Sequence, residues 1–286
     1  MLTLLFDGVA YGMLLFVLAV GLAVTLGLMN FINLAHGAFA MAGGYITVLS
    51  VNRLGVPFLL CLPIAFVLTA ALGALFERVL YRPMYGKPHL DQVLFSIGLV
   101  FMAVAAIDYF IGSQQQSMQL PAYLQGRFDL AAVGIGKYRL FIIVVCAALT
   151  IALQLILSKT RFGSRLRAAV DDPRVASGLG LNVNRIFLLT FAVGSGLAGL
   201  GGALGAEVLG LDPTFPLKFM IYFLIVVSVG GTTSITGPLL AALLLGIADV
   251  AGKYYVPKLG AFIVYALMLV ILMVRPQGLF ARRGSK

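Results

Sequence analysis

The sequence predicts an all-α fold: a polytopic integral membrane protein with eight or nine transmembrane helices, some of them broken or re-entrant. Three observations predict it. Hydrophobic residues make up 61% of the 286-residue chain, charged residues only 10%, and the mean hydropathy is +1.06. A soluble domain is nearer half apolar and roughly a quarter charged. The apolar residues fall in runs suited to a hydrocarbon core about 30 Å thick, which takes about 20 helical residues to cross. The alternating pattern of an outer-membrane barrel is missing, and exposed strands would leave backbone groups unpaired in lipid. The same composition excludes a disordered chain, a nucleic-acid-binding domain and a disulfide-framed secreted module. Cys61 and Cys146, each in an apolar stretch, read as small buried hydrophobes.

Apolar spans read near 8–29, 36–51, 57–77, 92–112, 139–158, 186–206, 218–231, 236–252 and 259–275. The first has no basic region before it, since the first Lys or Arg is Arg53, and no small-residue cleavage site after it. It reads as a membrane helix rather than a signal peptide. The spans at 36–51 and 218–231 are short, which marks them as tilted, broken or re-entrant.

Between the first two spans lies GLMNFINLAHGAFAMAGGY, residues 27–45. Asn30, Asn33 and His36 interrupt the apolar runs at spacings of three, and Asn30, Asn33 and Gly37 would share a helix face. Polar groups at membrane depth require a partner or a water-filled cavity. Two readings stand at this point: a polar lining of a pathway, or an ordinary polar turn with interhelical hydrogen bonds. His36 and His89 lie in different loops, so neither a zinc site nor a nucleophilic centre has enough convergent ligands.

The loops then set orientation. Arg78, Arg82 and Lys87 follow the third span. Lys159, Arg161, Arg165, Arg167, Arg174 and Arg185 sit in the loop at 158–185, and Arg275, Arg282, Arg283 and Lys286 lie at the C-terminus. Thirteen of the 20 basic residues thus fall on one side, which the positive-inside rule makes cytoplasmic. The C-terminus is then inside, and nine spans put the N-terminus outside. The loop 113–138 is polar and on the outer side. The loop 158–185 reads as one or two short surface helices, with Asp172 capping and Pro173 leading the second, and Gly178 and Gly180 closing it.

Two later stretches are glycine-rich. In GSGLAGLGGALGAEVLG, residues 194–210, Gly194, Ala198 and Gly202 recur every four residues, and Gly201 and Gly205 form another such pair. Small residues at that interval let helices approach closely in lipid. No GxxxxGK[ST] occurs in the chain, so these glycines are not a phosphate loop and the chain does not hydrolyse ATP by itself. In VGGTTSITGPLLAALLLG, residues 229–246, Gly230, Gly231, Thr232, Thr233, Ser234 and Gly237-Pro238 break two apolar runs. Discontinuous helices in both halves point to a transport pathway. The break at 30–37 is the expected counterpart, although the two segments do not align residue for residue. Asp7, Glu77, Asp108, Glu207 and Asp249 all lie near span ends. Without ionisable groups at the midplane, a transporter here is energised from outside this chain.

Together, several segments resemble the permease subunits of bacterial ABC importers for branched-chain amino acids, the LivH type. They are GLMNFINLAHGAFAMAGGY, ERVLYRPMYGKP (77–88), TRFGSRLRAAVDDPRVASGLGLNVNRI (160–186), LTFAVGSGLAGLGGALGA (189–206), GGTTSITGPLLAALLLG (230–246) and RPQGLF (275–280). The resemblance runs from about residue 5 to residue 280. It implies a single transmembrane permease domain over 1–286, in the bacterial inner membrane. It also implies a homologous second permease, two cytoplasmic ATPases that bind the ATP and Mg, and a periplasmic solute-binding protein. No cofactor belongs to this chain, and it is a transport subunit rather than an enzyme. The 158–185 loop becomes a cytoplasmic coupling loop. Its ATPase contacts would be Arg165, Arg167, Ala168, Ala169, Asp171, Asp172 and Arg174. The general importer pattern starts Glu-Ala-Ala and ends Ile-x-Leu-Pro, whereas Arg167 precedes the two alanines here and that ending is absent. The expected pathway or gate residues are Asn30, Asn33, His36, Gly37, Thr232, Thr233 and Ser234. The chief alternative is a sister permease for urea, short amides, aromatic acids or a sugar. An alternative of another class is a passive channel for small neutral solutes, although the chain has no Asn-Pro pair of the kind water channels carry. An intramembrane enzyme would need convergent His, Asp, Ser or Glu partners, which the spacing does not supply.

Overall fold

The computed structural model describes residues 1–29, 31–130, 133–231, 234–275 and 278–279. Eleven helices are seen among them: α1 (Leu2–Met29), α2 (His36–Leu54), α3 (Phe58–Phe76), α4 (His89–Ile111), α5 (Lys137–Lys159), α6 (Arg161–Asp171), α7 (Pro173–Gly178), α8 (Val183–Leu209), α9 (Phe215–Gly230), α10 (Thr236–Tyr255) and α11 (Gly260–Val274). Six spans are long and apolar enough to cross a membrane: those containing α1, α3, α4, α5, α8 and α10. Two shorter apolar helices, α9 and α11, accompany them. Helix α2 is long enough at 19 residues, but its glycines, His36, Asn52 and Arg53 dilute its apolar content. The chain is therefore an all-α, multi-pass membrane protein, as the apolar runs require.

The polar loop after α4 departs from the helical expectation. It holds an antiparallel hairpin, β1 (Arg127–Leu130) and β2 (Val133–Gly136), with Arg127 opposite Gly136. The hairpin sits at the end of the bundle away from α6 and α7, where water can pair the open strand edges that lipid cannot.

Helices α1, α2 and α8 form the centre. Helix α8 runs antiparallel to α1, with Gly194 against Gly21, Gly201 against Leu18 and Gly205 near Leu14. It also meets α2, where Gly199 faces Gly43 and Gly202 faces the Ala40 carbonyl. Helix α3 lies along α8, and α10 lies along α1, with Gly12 and Gly246 in backbone contact. A Cβ on Gly202 would overlap Ala40 backbone atoms, so a hydrogen is all that position admits.

This packing is reciprocal. Helices α1 to α3 recur, inverted, as α8 to α10: α1 lies along α10 as α8 lies along α3, and α2 packs on α3 as α9 packs on α10. The broken link between α1 and α2 corresponds to the link between α8 and α9. In the first, the His36 amide donates to the Asn33 carbonyl (3.3 Å) and Ala38 to Ala35 (2.9 Å). In the second, the Phe215 amide donates to the Asp212 carbonyl (3.0 Å) and Leu217 to Thr214 (3.0 Å). The pairs Asn33/Asp212, His36/Phe215 and Gly37/Pro216 are separated by one constant interval along the chain. Gly37 and Pro216 also touch, where a Cβ on the glycine would sit 3.0 Å from the Pro216 Cα. The counterpart of the 30–37 break is thus the turn at 210–215, not the Gly/Thr-rich stretch 229–246. Glycine and threonine content points to the wrong segment, because the repeat follows position in the helix order rather than composition.

Candidate functional site

The first helix break is a buried strap. After α1 the chain turns back along the helix it has just left, and α2 begins at the level of Leu18, more than halfway up α1. Residues 31–35 are not helical. Irregular backbone at such depth survives only when protein groups pair it. Here α4 supplies them. The Gln92 Oε1 accepts from the Ile32 amide (3.1 Å), and the Gln92 side-chain nitrogen donates to the Lys87 carbonyl (3.0 Å). The Ser96 hydroxyl lies 3.5 Å from the Ile32 carbonyl and donates at 3.0 Å to Val93. Phe31 packs edge-on against Tyr81 and Tyr85.

Tyr81 reaches this strap because α3 ends in a π-helical turn, Glu77–Tyr81, followed by a short 3-10 turn, Arg82–Met84. The widened turn swings the ring inward, and its hydroxyl donates to Asn33 Oδ1 at 3.0 Å. Asn33 is 1% exposed, and its amide nitrogen has no hydrogen-bond partner among the described residues. His36 is 2% exposed. Its Nε2 donates to the Leu18 carbonyl at 2.9 Å, and its ring meets Phe223 edge-on. Gly21 leaves room for the imidazole, since a Cβ there would lie 2.6 Å from His36 Cε1. Asn33, His36 and Gly37 are therefore brought together inside one chain, among α1, α3 and α9. Asn30, Thr232 and Thr233 lie outside the described residues.

Ser234 stands elsewhere, exposed at the start of α10. Its hydroxyl is 3.2 Å from that of Thr236 and accepts from the Gly237 amide at 3.3 Å, in the first turn of that helix.

The helix pair α6–α7 projects at the end of the bundle that carries most of the basic loops. Helix α6 is amphipathic. Gly163, Leu166 and Ala169 turn inward, where Leu166 and Ala169 cluster with Ile186 of α8. Arg165, Arg167, Ala168, Asp171, Asp172 and Arg174 are exposed, while Ala169 is fully buried. Thr160 caps α6 by accepting from the Gly163 amide. Asp172 caps α7, accepting from the amides of Arg174 (2.9 Å) and Val175 (3.0 Å), with Pro173 at its first position. Arg167 also ties α6 to its neighbour, since its guanidinium donates at 2.6 Å to the Leu157 carbonyl in the last turn of α5. A Cβ on Gly163 would collide with that same carbonyl. Helix α6 is thereby locked onto the end of α5.

Sequence reasoning did not single out Tyr81, Gln92 or Ser96. Gln92 and Ser96 carried a signal, two amide or hydroxyl groups four residues apart within an apolar span. Tyr81 carried none, because the π turn that aims it has no pattern of its own. Among the described residues no three His, Cys, Asp or Glu side chains gather as metal ligands.

Comparison with known proteins agrees with this architecture. Residues 4–272 match the family model for the branched-chain amino acid transport system / permease component. The high-affinity branched-chain amino acid transport system permease protein BraD of Pseudomonas aeruginosa is 28% identical, over 97% of this chain and 95% of its own. LivH of Escherichia coli is 27% identical over 97% of this chain and 94% of its own. LivM of Escherichia coli, another permease protein of that transport system, is 28% identical over 93% of this chain and 68% of its own. No solved structure matches. A family model covering almost the whole chain, on a bundle of membrane-length helices, makes this chain a member of the branched-chain amino acid transport permease family.

Proposed function

We propose that this chain is one of two homologous permeases of a bacterial ABC importer that carries leucine, isoleucine and valine across the inner membrane. ATP and Mg are bound by two separate cytoplasmic ATPases, and a periplasmic protein delivers the solute. The relatives named for this transport support the solute class. The observation that carries the coupling role is the α6–α7 pair. It is an exposed, capped and basic helix pair fixed to the foot of a long apolar helix, a feature for which a passive channel has no use.

The mechanism follows from the attachments. The α6–α7 end is cytoplasmic, because it bears most of the basic residues. Nine helices, α1 to α5 and α8 to α11, then cross the membrane, and the C-terminus is inside. Closure of the ATPases moves the grooves in which α6–α7 sit. Arg165, Ala168, Asp171, Asp172 and Arg174 face the ATPase. Ala169 faces the permease, and Arg167 passes the displacement to α5 through the Leu157 carbonyl. Asn33 and His36 act on the gate without touching solute, by holding the starting level of α2 on α1. Ser234, with Thr232 and Thr233 next to it in sequence, makes the second gate segment, just ahead of the start of α10 that such a movement would bend. Rigid parts rocking about fixed contacts are the usual form of alternating access.

The test is Arg165→Glu in the co-expressed complex. Recovery of the ATPases with this chain should fall, and uptake of labelled leucine, competed by isoleucine and valine but not urea, should fall with it. Normal assembly and uptake would reject the coupling role. Uptake competed by urea instead would move the solute to the sister permeases.

A further inference from the structure

At the end of the bundle opposite α6–α7, two carboxylates and two cations surround one hollow of about 190 Å³ between α1, α5 and α10. Asp7 of α1 pairs with Arg139 of α5. Asp249 of α10 pairs with Lys253 at 2.6 Å and accepts from the Tyr222 hydroxyl at 3.4 Å. Lys253 also lies 5.7 Å from the Tyr11 ring centre. The four charged residues come from three different helices, so only the folded bundle brings them together.

Three details set this group apart from an ordinary surface ion-pair cluster. First, the other Asp7 oxygen, Oδ1, is buried and has no hydrogen-bond partner among the described residues. A buried acceptor left unpaired is costly and calls for an N–H or O–H donor. Second, the cations keep spare donors: the side chain of Arg139 is 45% exposed, whereas that of Asp249 is 2% exposed and held from two directions. Third, a wider vestibule of about 520 Å³ shares Asp7 and Arg139 and opens beside the hairpin, so the hollow is reached from that end. A further hollow of about 260 Å³ lies on the same α1–α5–α10 seam at the opposite end, lined by Val24, Gln154 and Thr236. Between the two, α1 is buried from Leu14 to Leu22 and Cys146 of α5 is fully buried. The seam is hollow at both ends and closed at the waist.

We infer that the hollow between α1, α5 and α10 is a docking site for a zwitterionic amino acid, its ammonium taken by Asp7 and its carboxylate by Arg139 and Lys253. The inference rests on the transport role proposed above and adds the place where the solute first meets this chain. Two positive and two negative side chains leave the hollow with no net charge. A lone inorganic ion gains little there, whereas a zwitterion answers both signs at once. The apolar side chain of the solute would lie against Leu14 and Ile142, which line the floor.

The test uses the complete complex in proteoliposomes: this chain, the second permease, both ATPases and binding protein loaded with labelled leucine. If the unaltered complex takes up no leucine, the transport role fails, and the docking site fails with it. If it does, Asp7→Asn should lower the initial uptake rate at least about tenfold, the loss of one charge-assisted contact. An unchanged rate overturns the inference. The exchanged pair, Asp7→Arg with Arg139→Asp, separates docking from mere support. It keeps an ion pair but reverses its order, and it should stay as slow as Asp7→Asn. Recovery to near the unaltered rate would make the pair structural only. Should these variants fail to assemble, Val250→Cys supplies an independent reading, since Val250 lines the hollow and both native cysteines are buried. Leucine-loaded binding protein should slow its modification by a water-soluble thiol reagent. Equal rates with loaded and empty binding protein would overturn the inference.

Discussion

The His36 imidazole donates to the backbone carbonyl of Leu18 at 2.9 Å, and this contact joins the first turn of α2 to the middle of α1. It fixes how deep α2 begins. Gly21 opposite makes it possible, because any larger residue would occupy the space of the ring.

Replacing His36 with Ala removes a donor from a fully packed site and leaves a void among α1, α2 and α9. The expected cost is about 2–4 kcal/mol, combining a lost hydrogen bond with an unfilled cavity. Thermal unfolding of the purified complex in mild detergent measures it. Unfolding unchanged from the unaltered chain would mean that the α2 depth is set elsewhere.

Gln92→Leu removes the bonds to the Ile32 amide and the Lys87 carbonyl together. The half-buried Ile32 amide carries most of the loss, about 1–2 kcal/mol, whereas water can replace the bond to the exposed Lys87 carbonyl. Leu94→Ala, on the exposed side of the same helix, should stay within about 0.5 kcal/mol. Equal effects from the two would mean that the strap does not depend on α4.

Tyr81→Phe keeps the ring and its packing on Phe31 but withdraws the hydroxyl from Asn33. The loss should be about 1 kcal/mol. Tyr81→Ala, which also removes a fully buried ring, should cost about 3–5 kcal/mol. The difference between the two unfolding midpoints separates the hydrogen bond from the packing.

Gly202→Ala should destabilise by about 1–3 kcal/mol or displace α2 from α8, because its Cβ falls on the Ala40 backbone. Gly98→Ala on α4 meets nothing within 4 Å and should be neutral or stabilising by up to about 1 kcal/mol. Yield of folded protein after gel filtration in detergent ranks the pair.

Asp172→Ala removes the cap of α7 and should cost about 1 kcal/mol of local stability, while Asp172→Asn keeps an accepting oxygen and should cost little. If α7 docks on the ATPase, Asp172→Ala should lower leucine-dependent ATP hydrolysis, and Asp172→Asn should restore most of it. Equal defects would point instead to the charge of the carboxylate.

Much of the fold was legible because lipid demands long apolar helices. The spans read near 92–112 and 139–158 coincide within a few residues with α4 and α5. The end of α2 is marked by Gly55, whose positive φ of 63° only glycine adopts freely. What hydropathy could not give was depth. The run 36–51 looked merely short, whereas α2 is a 19-residue helix that starts partway up α1. The Asn33–His36 stretch showed that something must pair these groups. It did not show that α4 and a π turn of α3 would do so, because those partners lie far along the chain. The Asp7–Arg139 pair was hidden for the same reason: each residue looked like an isolated charge at a span end.

The inverted repeat has a consequence for how the chain is made. In the nine-span arrangement proposed above, helices α1 to α4 return the polypeptide to the face from which it set out. Had α8 followed directly, the second half would have been inserted in the same sense as the first. Helix α5 is the single crossing that turns it over. Its flanks favour that orientation by the excess of basic residues at one end: Lys159 with Arg161, Arg165 and Arg167 of α6, against Lys137 and Arg139 at the other. In that arrangement, a chain inserted without α5 would carry every later helix the wrong way up. Gly37 and Pro216 would then never meet.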